Sequence, residues 1–184
     1  DIPQGVKYPI LFDRPDTRAT APIADLKNNG FMVYAYVDGN VNDITFNKVV
    51  KYNETLKVWA FVTPEYWIPY TNYTFKAFYP SSFTAGKLNV ATDKDLNFTI
   101  SEFDVVNHQE DILVASAKAD VPEGKSYPDD RSIVDLNFQH LLACIDIKIK
   151  SAINGVTIST ITIQDAETNG TYSSATGLWN SSAY

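Results

Sequence analysis

The 184-residue chain contains one cysteine and two histidines. A lone thiol excludes an intrachain disulfide and every metal site built on several cysteines. His108, His140 and Cys144 fall 32 and 4 residues apart, which fits no zinc-binding spacing. The eight glycines are scattered, so no glycine-rich loop can cradle a phosphate. Basic residues are also scarce: 15 Lys and Arg stand against 22 Asp and Glu, for a net charge of −7. That balance argues against nucleic acid as a partner and against adsorption to an anionic membrane surface. No apolar run approaches the ~18 residues of a membrane span, and no G-x-S-x-G elbow offers a nucleophile. Neither a cofactor nor an enzymatic activity is expected.

Aromatics make up 13% of the chain and apolar residues 45%, the composition of a globular protein with a sizeable core. The length allows one large domain or a small pair, and a chain of this size buries roughly 70% of its unfolded surface without staples. Short β-rich runs punctuated by turn residues dominate. Strands are predicted at 8–12, 31–37, 48–52, 57–62, 73–80, 96–103 and 111–116, followed by 133–150 and 155–164. In "KAFY", Phe75, Ala77 and Tyr79 share one face and Lys76 takes the other. "HQEDILVASAKAD" could pass for a helix and is read as a strand. Only "IADLKNNG" (23–30) reads as a short helix, with Gly30 as its stop. Many strands and few helices predict an all-β sandwich or barrel.

The stretch "IVDLNFQHLLACIDIKIK" (133–150) changes parity halfway. Val134, Leu136 and Phe138 occupy even positions, while Ile145, Ile147 and Ile149 occupy odd ones. The next predicted strand also switches, with Val156 and Ile158 even and Ile161 and Ile163 odd. An antiparallel hairpin through a turn at 151–155 would place Ile149 opposite Val156, Ile147 opposite Ile158, Cys144 opposite Ile161 and Leu142 opposite Ile163. The two halves of such a hairpin would serve different layers.

Reactive chemistry finds little support. Cys144 in an apolar strand is an inert core thiol. His140 would face Asp165 or Glu167 in that register, a satisfied polar contact rather than a catalytic dyad. "DKDLNFTISEFD" (93–104) resembles a calcium loop in its acids, yet Phe98 stands where glycine is needed and Leu96, Phe98 and Ile100 alternate as a strand. In "VWAFVTPEYWIPYTNYTFKAFYP" (58–80), Trp59, Tyr66, Trp67 and Tyr70 could stack on sugar rings or cap a sandwich core.

The order "YPILFD", "TRAT", a short helix, "GFMVYAYV", "WAFVTPEYWIP", "YTFKAFYP", "DILVAS", "VDLNFQHLLACIDIKIKS" and "GTYSSATGLW" resembles the fimbrillin-like (Mfa-like) family of Bacteroidales surface proteins. The resemblance spans essentially the whole chain and rests on that order. It implies a transthyretin-like β-sandwich in a secreted lipoprotein that forms, tips or anchors type V pili at the outer membrane. Residues 1–184 would be the amino-terminal domain, with the family's second domain absent or truncated after about residue 178. Its partners would be other pilus subunits, joined by donor-strand exchange, with a host or glycan ligand as a second class. Membrane attachment would come only through a lipid anchor upstream. The family's trimming element matches Arg18 and Ala19; cleavage there would release the first strand and open a groove for a neighbour's strand. A surface carbohydrate-binding module using the 58–80 aromatics is the alternative.

Overall fold

The computed structural model describes residues 6–13, 16–17, 23–39, 41–82, 84–107, 110–128, 133–143, 145, 147–150, 155, 157–164 and 166–180. In chain order its elements are β1 (Leu11–Phe12), β2 (Asp16–Thr17), α1 (Ile23–Asn29), β3 (Phe31–Gly39), β4 (Ile44–Asn53), β5 (Val58–Phe61), β6 (Thr71–Tyr79), β7 (Lys87–Val90), β8 (Phe98–Asp104), β9 (Leu113–Val121), β10 (Ile133–Val134), β11 (Asn137–His140), β12 (Asn169–Ser173) and β13 (Leu178–Asn180). The fold is an all-β sandwich with one short helix. Of "DILVAS", Leu113–Ser116 is strand, the first part of β9, and Asp111 and Ile112 precede it.

Among the described residues, nine strands form a large sheet ordered β10-β1-β5-β4-β3-β6-β9-β11-β2, and four form a small one ordered β13-β12-β8-β7. The large sheet curls back on itself. Four strand spacings separate β1 from β6, which in a flat sheet would be roughly 19 Å. Yet the rings of Phe12 on β1 and Phe75 on β6 meet at 5.7 Å. The curl is set by two strand pairs that cross from one half to the other. β10 and β11 are joined by Asp135 and Leu136 alone, but they lie at opposite flanks of the sheet order. β1 and β2 make the same crossing beside them, and both pairings are parallel. Such corner strands are how one sheet becomes two packed layers.

Alternation explains which side chains fill the space. On β3, Phe31, Val33, Ala35 and Val37 point into the curl, where Tyr73, Phe75 and Ala77 of β6 and Trp59 and Phe61 of β5 join them. The even-numbered Val134, Leu136 and Phe138 belong to this same core, as their parity predicted. The outer face of the sheet is covered too. Tyr34, Phe78 and Val114 pack with Phe98, Ile100, Phe103, Tyr172 and Trp179 of the small sheet. Phe78 meets Tyr34 and Phe98 edge-on at 5.6 and 4.8 Å. Neighbouring Ala77 and Phe78 are therefore both buried because β6 is covered on both faces. At roughly 1.5–3 kcal/mol for each large apolar side chain removed from water, these two clusters supply the main drive for folding.

α1 packs Leu26 into the inner core and sets the Lys27 ammonium 3.9 Å from the centre of the Tyr52 ring. The helix ends where expected, at Gly30, whose φ of 71° and approach to the Val50 carbonyl leave no room for a Cβ.

The predicted 134–149/156–163 hairpin is not formed. No described residue of 141–168 belongs to a strand, and Ile145, Ile147, Ile149, Ile158, Ile161 and Ile163 are exposed. Cys144, Val156 and Asp165 lie outside the described residues. The alternation is real, but among the described residues no second layer covers its apolar side, so the segments lack the burial that would hold them in one register. His140 finds a carboxylate, but it is Asp111 at 2.7 Å from Nδ1 rather than Asp165 or Glu167. The cause is β11, which pairs with β9 and sets His140 opposite Leu113.

Candidate assembly groove

β1 is short, but its place is central. It lies between β10, to which it is parallel, and β5, to which it is antiparallel, with Leu11 opposite both Ile133 and Ala60. Flanking hydrogen bonds extend the pairing. The Trp67 N–H donates to the Tyr8 carbonyl at 3.0 Å, the Ile10 N–H to the Glu65 carbonyl at 2.8 Å, and the Asp13 N–H to the Val134 carbonyl at 3.0 Å. Ile10 and Phe12 share a face and are fully buried, while Leu11 between them is half-buried. The Phe12 ring, 0% exposed, sits edge-on against Phe61 at 5.3 Å, Phe75 at 5.7 Å and Phe31 at 6.3 Å. Proline and aromatic spacing in "YPILF" suits such a slot, because Pro9 pairs only through an isolated bridge to Tyr66.

β2 continues the same line. Asp16 and Thr17 run parallel to Asn137 and Phe138, after β1 has run parallel to Ile133 and Val134. Residues 11–12 and 16–17 thus pair in turn with 133–134 and 137–138. The residues just before the trimming element therefore hold a paired strand at 16–17. Arg18 and Ala19 lie just beyond it, outside the described residues. Release of everything up to Arg18 would remove both strands. It would bare the β5 edge, the whole 133–138 edge, and the pockets of Ile10 and Phe12.

The four aromatics proposed for sugar stacking divide into two pairs. Trp59 and Trp67 are core residues: Trp59 packs against Phe31 at 5.2 Å and Tyr52 at 5.4 Å, and Trp67 against Tyr73 at 4.8 Å and Phe75 at 6.1 Å. Tyr66 and Tyr70 are each 41% exposed. An open cavity of about 360 Å³ lies beside Tyr66, lined also by Val6, Lys7, Trp67, Ile68, Pro69 and Ser126. The Lys7 ammonium lies 5.8 Å from the Tyr66 ring centre. The structure thus does not bring the four together as one exposed platform.

Polar chemistry elsewhere is structural. Burial pushes the Asp93 carboxyl up, but hydrogen bonds from Asn97, Asp95 and Leu96 outweigh it and hold the group below the usual range. Asp93 thereby closes the turn before β8 rather than a calcium loop. Tyr36 donates to Asp43 at 2.6 Å, and that bond, with burial and nearby carboxylates, pushes its pKa up to about 12. Among the described residues no cluster of His, Cys, Asp or Glu could hold a metal ion, and no helix is long and apolar enough to cross a membrane.

Sequence reasoning found β1 through "YPILF" but missed the walls of its slot. Ile133 and Val134 lie more than a hundred residues away, and nothing local marks them as its parallel partner.

A search of curated proteins and of solved structures finds no significant match. A family model described as fimbrillin-like matches residues 17–184, beginning inside β2 and leaving β1 outside the matched part. That match covers nearly the whole chain, so the chain belongs to the fimbrillin-like family.

Proposed function

We propose that this chain is a structural subunit of a cell-surface pilus, joined to its neighbours by strand exchange at the slot that β1 and β2 occupy. Family membership supports the pilus and the cell surface. The observation that carries strand exchange is the burial of Ile10 and Phe12 between two hydrogen-bonding edges. A peripheral tail would leave nothing to exchange. This strand, once released, uncovers apolar surface worth roughly 3–6 kcal/mol for its two fully buried side chains. A donated strand with large apolar residues at alternate positions recovers that free energy and the backbone hydrogen bonds, which makes the joint strong and slow to open. The incoming strand would run parallel to 133–138 and antiparallel to β5. Processing at Arg18–Ala19 is the step that makes the strand displaceable, and an outer-membrane lipid anchor outside these residues would tether the subunit. The experiment is limited trypsin treatment with Arg18→Ala as control. Cutting at Arg18 should precede most cuts at lysine and lead to oligomers when full-length partner is supplied. Trimmed protein that neither loses stability nor associates would end the proposal.

A second reading is favoured by one observation: Tyr66 and Tyr70 are exposed, and Tyr66 lines an open cavity. They would give a surface for a glycan ligand. Glycan-array binding lost on Tyr66→Ala would support it, and an array without signal would remove it.

A further inference from the structure

The open cavity beside Tyr66 has two walls with different fates. Tyr66, Trp67, Ile68 and Pro69 belong to the loop before β6 and stay with the sandwich. Val6 and Lys7 belong to the segment that runs into β1 and would leave with it. The same bonds that seat the strand hold the two walls together: the Trp67 N–H donates to the Tyr8 carbonyl, and the Ile10 N–H to the Glu65 carbonyl. The volume of about 360 Å³ falls within the range of roughly 300–1,000 Å³ for small-molecule sites. Lys7 is the one charged side chain among the described residues that line it, and its ammonium lies 5.8 Å from the Tyr66 ring centre. The carboxylate next to Tyr66, that of Glu65, is paired with Lys48 instead.

We propose that this cavity takes one carboxylate-bearing sugar unit, a uronic or sialic acid, and that it is complete only while the strand before Arg18 is seated. The proposal rests on the glycan reading of Tyr66. It goes beyond that reading by naming the ligand class and by making the N-terminal segment part of the site. Tyr66, 41% exposed, offers ring surface to the apolar side of a pyranose. The Lys7 ammonium meets the carboxylate in a charge-assisted hydrogen bond, and the Ser126 hydroxyl can bond a sugar hydroxyl. A neutral sugar would use the ring and the hydroxyl and leave the lysine without a counter-charge. A ligand that touches both walls binds the seated state alone, so by linkage it favours that state to the same degree. An acidic sugar here therefore holds the strand against displacement.

The first test is calorimetric titration of the Arg18→Ala chain, whose slot stays closed. The probes are methyl glucuronoside and the methyl glycoside of N-acetylneuraminic acid, with methyl glucoside as the neutral control. At least one acidic probe should bind, about tenfold or more tighter than the neutral one. Tyr66→Ala should abolish that binding, and Lys7→Gln should reduce it to the neutral level. Both side chains are exposed, so thermal unfolding should not change. The second test uses protein cut at Arg18. With the acidic probe at about ten times its Kd, displacement of the resident fragment by a peptide of residues 8–18 should fall about elevenfold. Displacement by a peptide of residues 6–18 should be unaffected, because that peptide brings Val6 and Lys7 and rebuilds the cavity. Failure of both acidic probes to bind overturns the proposal. So does equal binding of the neutral probe, indifference to Lys7→Gln, or one and the same effect on both peptides. Glycan-array binding that is lost on Tyr66→Ala but shows no preference for acidic sugars overturns it and leaves the glycan reading standing. A cut protein in which neither peptide displaces the fragment overturns the coupling together with strand exchange.

Discussion

Replacing Phe12 by alanine removes a ring that touches three others across the curl of the large sheet. The side chain is fully buried, and its neighbours Phe31, Phe61 and Phe75 belong to β3, β5 and β6, which also form the rigid centre of the sheet. Those strands have little freedom to collapse into the space left behind. Buried Phe→Ala changes cost about 3–5 kcal/mol, with the larger values where the surroundings cannot relax. Each edge-on aromatic pair adds about 0.5–1.5 kcal/mol beyond burial, partly counted in the same figure. A loss of about 4 kcal/mol is expected, against a total stability of about 5–15 kcal/mol for a typical domain. Leu11→Ala is the internal comparison, since Leu11 is half-buried on the opposite face and should cost about 1 kcal/mol. Urea unfolding followed by tryptophan fluorescence reads both changes, with Trp59 and Trp67 as reporters in the same core. The midpoint should fall with little change in slope. If Phe12→Ala costs less than about 1 kcal/mol, β1 is not part of the core and the slot holds no free energy to exchange.

Two further outcomes follow from the aromatic region and from Tyr36. Trp67→Ala should cost about 3–5 kcal/mol in the same unfolding assay, whereas Tyr66→Ala should fall within about 0.5 kcal/mol of the parent; equal effects would contradict the division into core and surface pairs. Tyr36 keeps its proton up to about 12 in the folded chain, because its hydroxyl donates to Asp43, and an unfolded tyrosine ionises near 10. Between those values the folded state binds more protons, so its stability is intact below pH 10 and is lost as pH rises through about 12. Ultraviolet titration should show one fewer late-ionising phenol in Asp43→Asn; an unchanged titration would mean the bond does not set the pKa.

The legible part of the fold is the part where local pattern and tertiary burial agree. "FMVYAYV" and "YTFKAFYP" became β3 and β6 because large β-branched and aromatic side chains alternate with residues that suit a covered outer face. β7, β12 and β13 were missed because "KLNV", "NGTYS" and "LWN" are short and polar, and β12 is held by pairing with distant β8. The 133–150 stretch shows the limit from the other side. Its first half obeys its parity because the curled sheet covers Val134, Leu136 and Phe138. Its second half has an equally clear pattern, but a pattern states which side chains seek cover, not whether the chain itself supplies it. The aromatics fail differently: adjacent Tyr66 and Trp67 have opposite fates because the backbone turns them to opposite sides of one loop, and composition alone cannot say which ring faces in.

The central claim is that the strand in the β1 slot is replaceable. Its most direct measurement is the exchange of that strand in protein cut at Arg18, using a labelled synthetic peptide covering residues 6–18. The account predicts that the cut protein keeps its fragment until the peptide displaces it. The displaced state should then be stable and slow to dissociate, and a peptide carrying Phe12→Ala should not compete. A cut protein that sheds the fragment at once without losing stability, or that accepts both peptides equally, would contradict it.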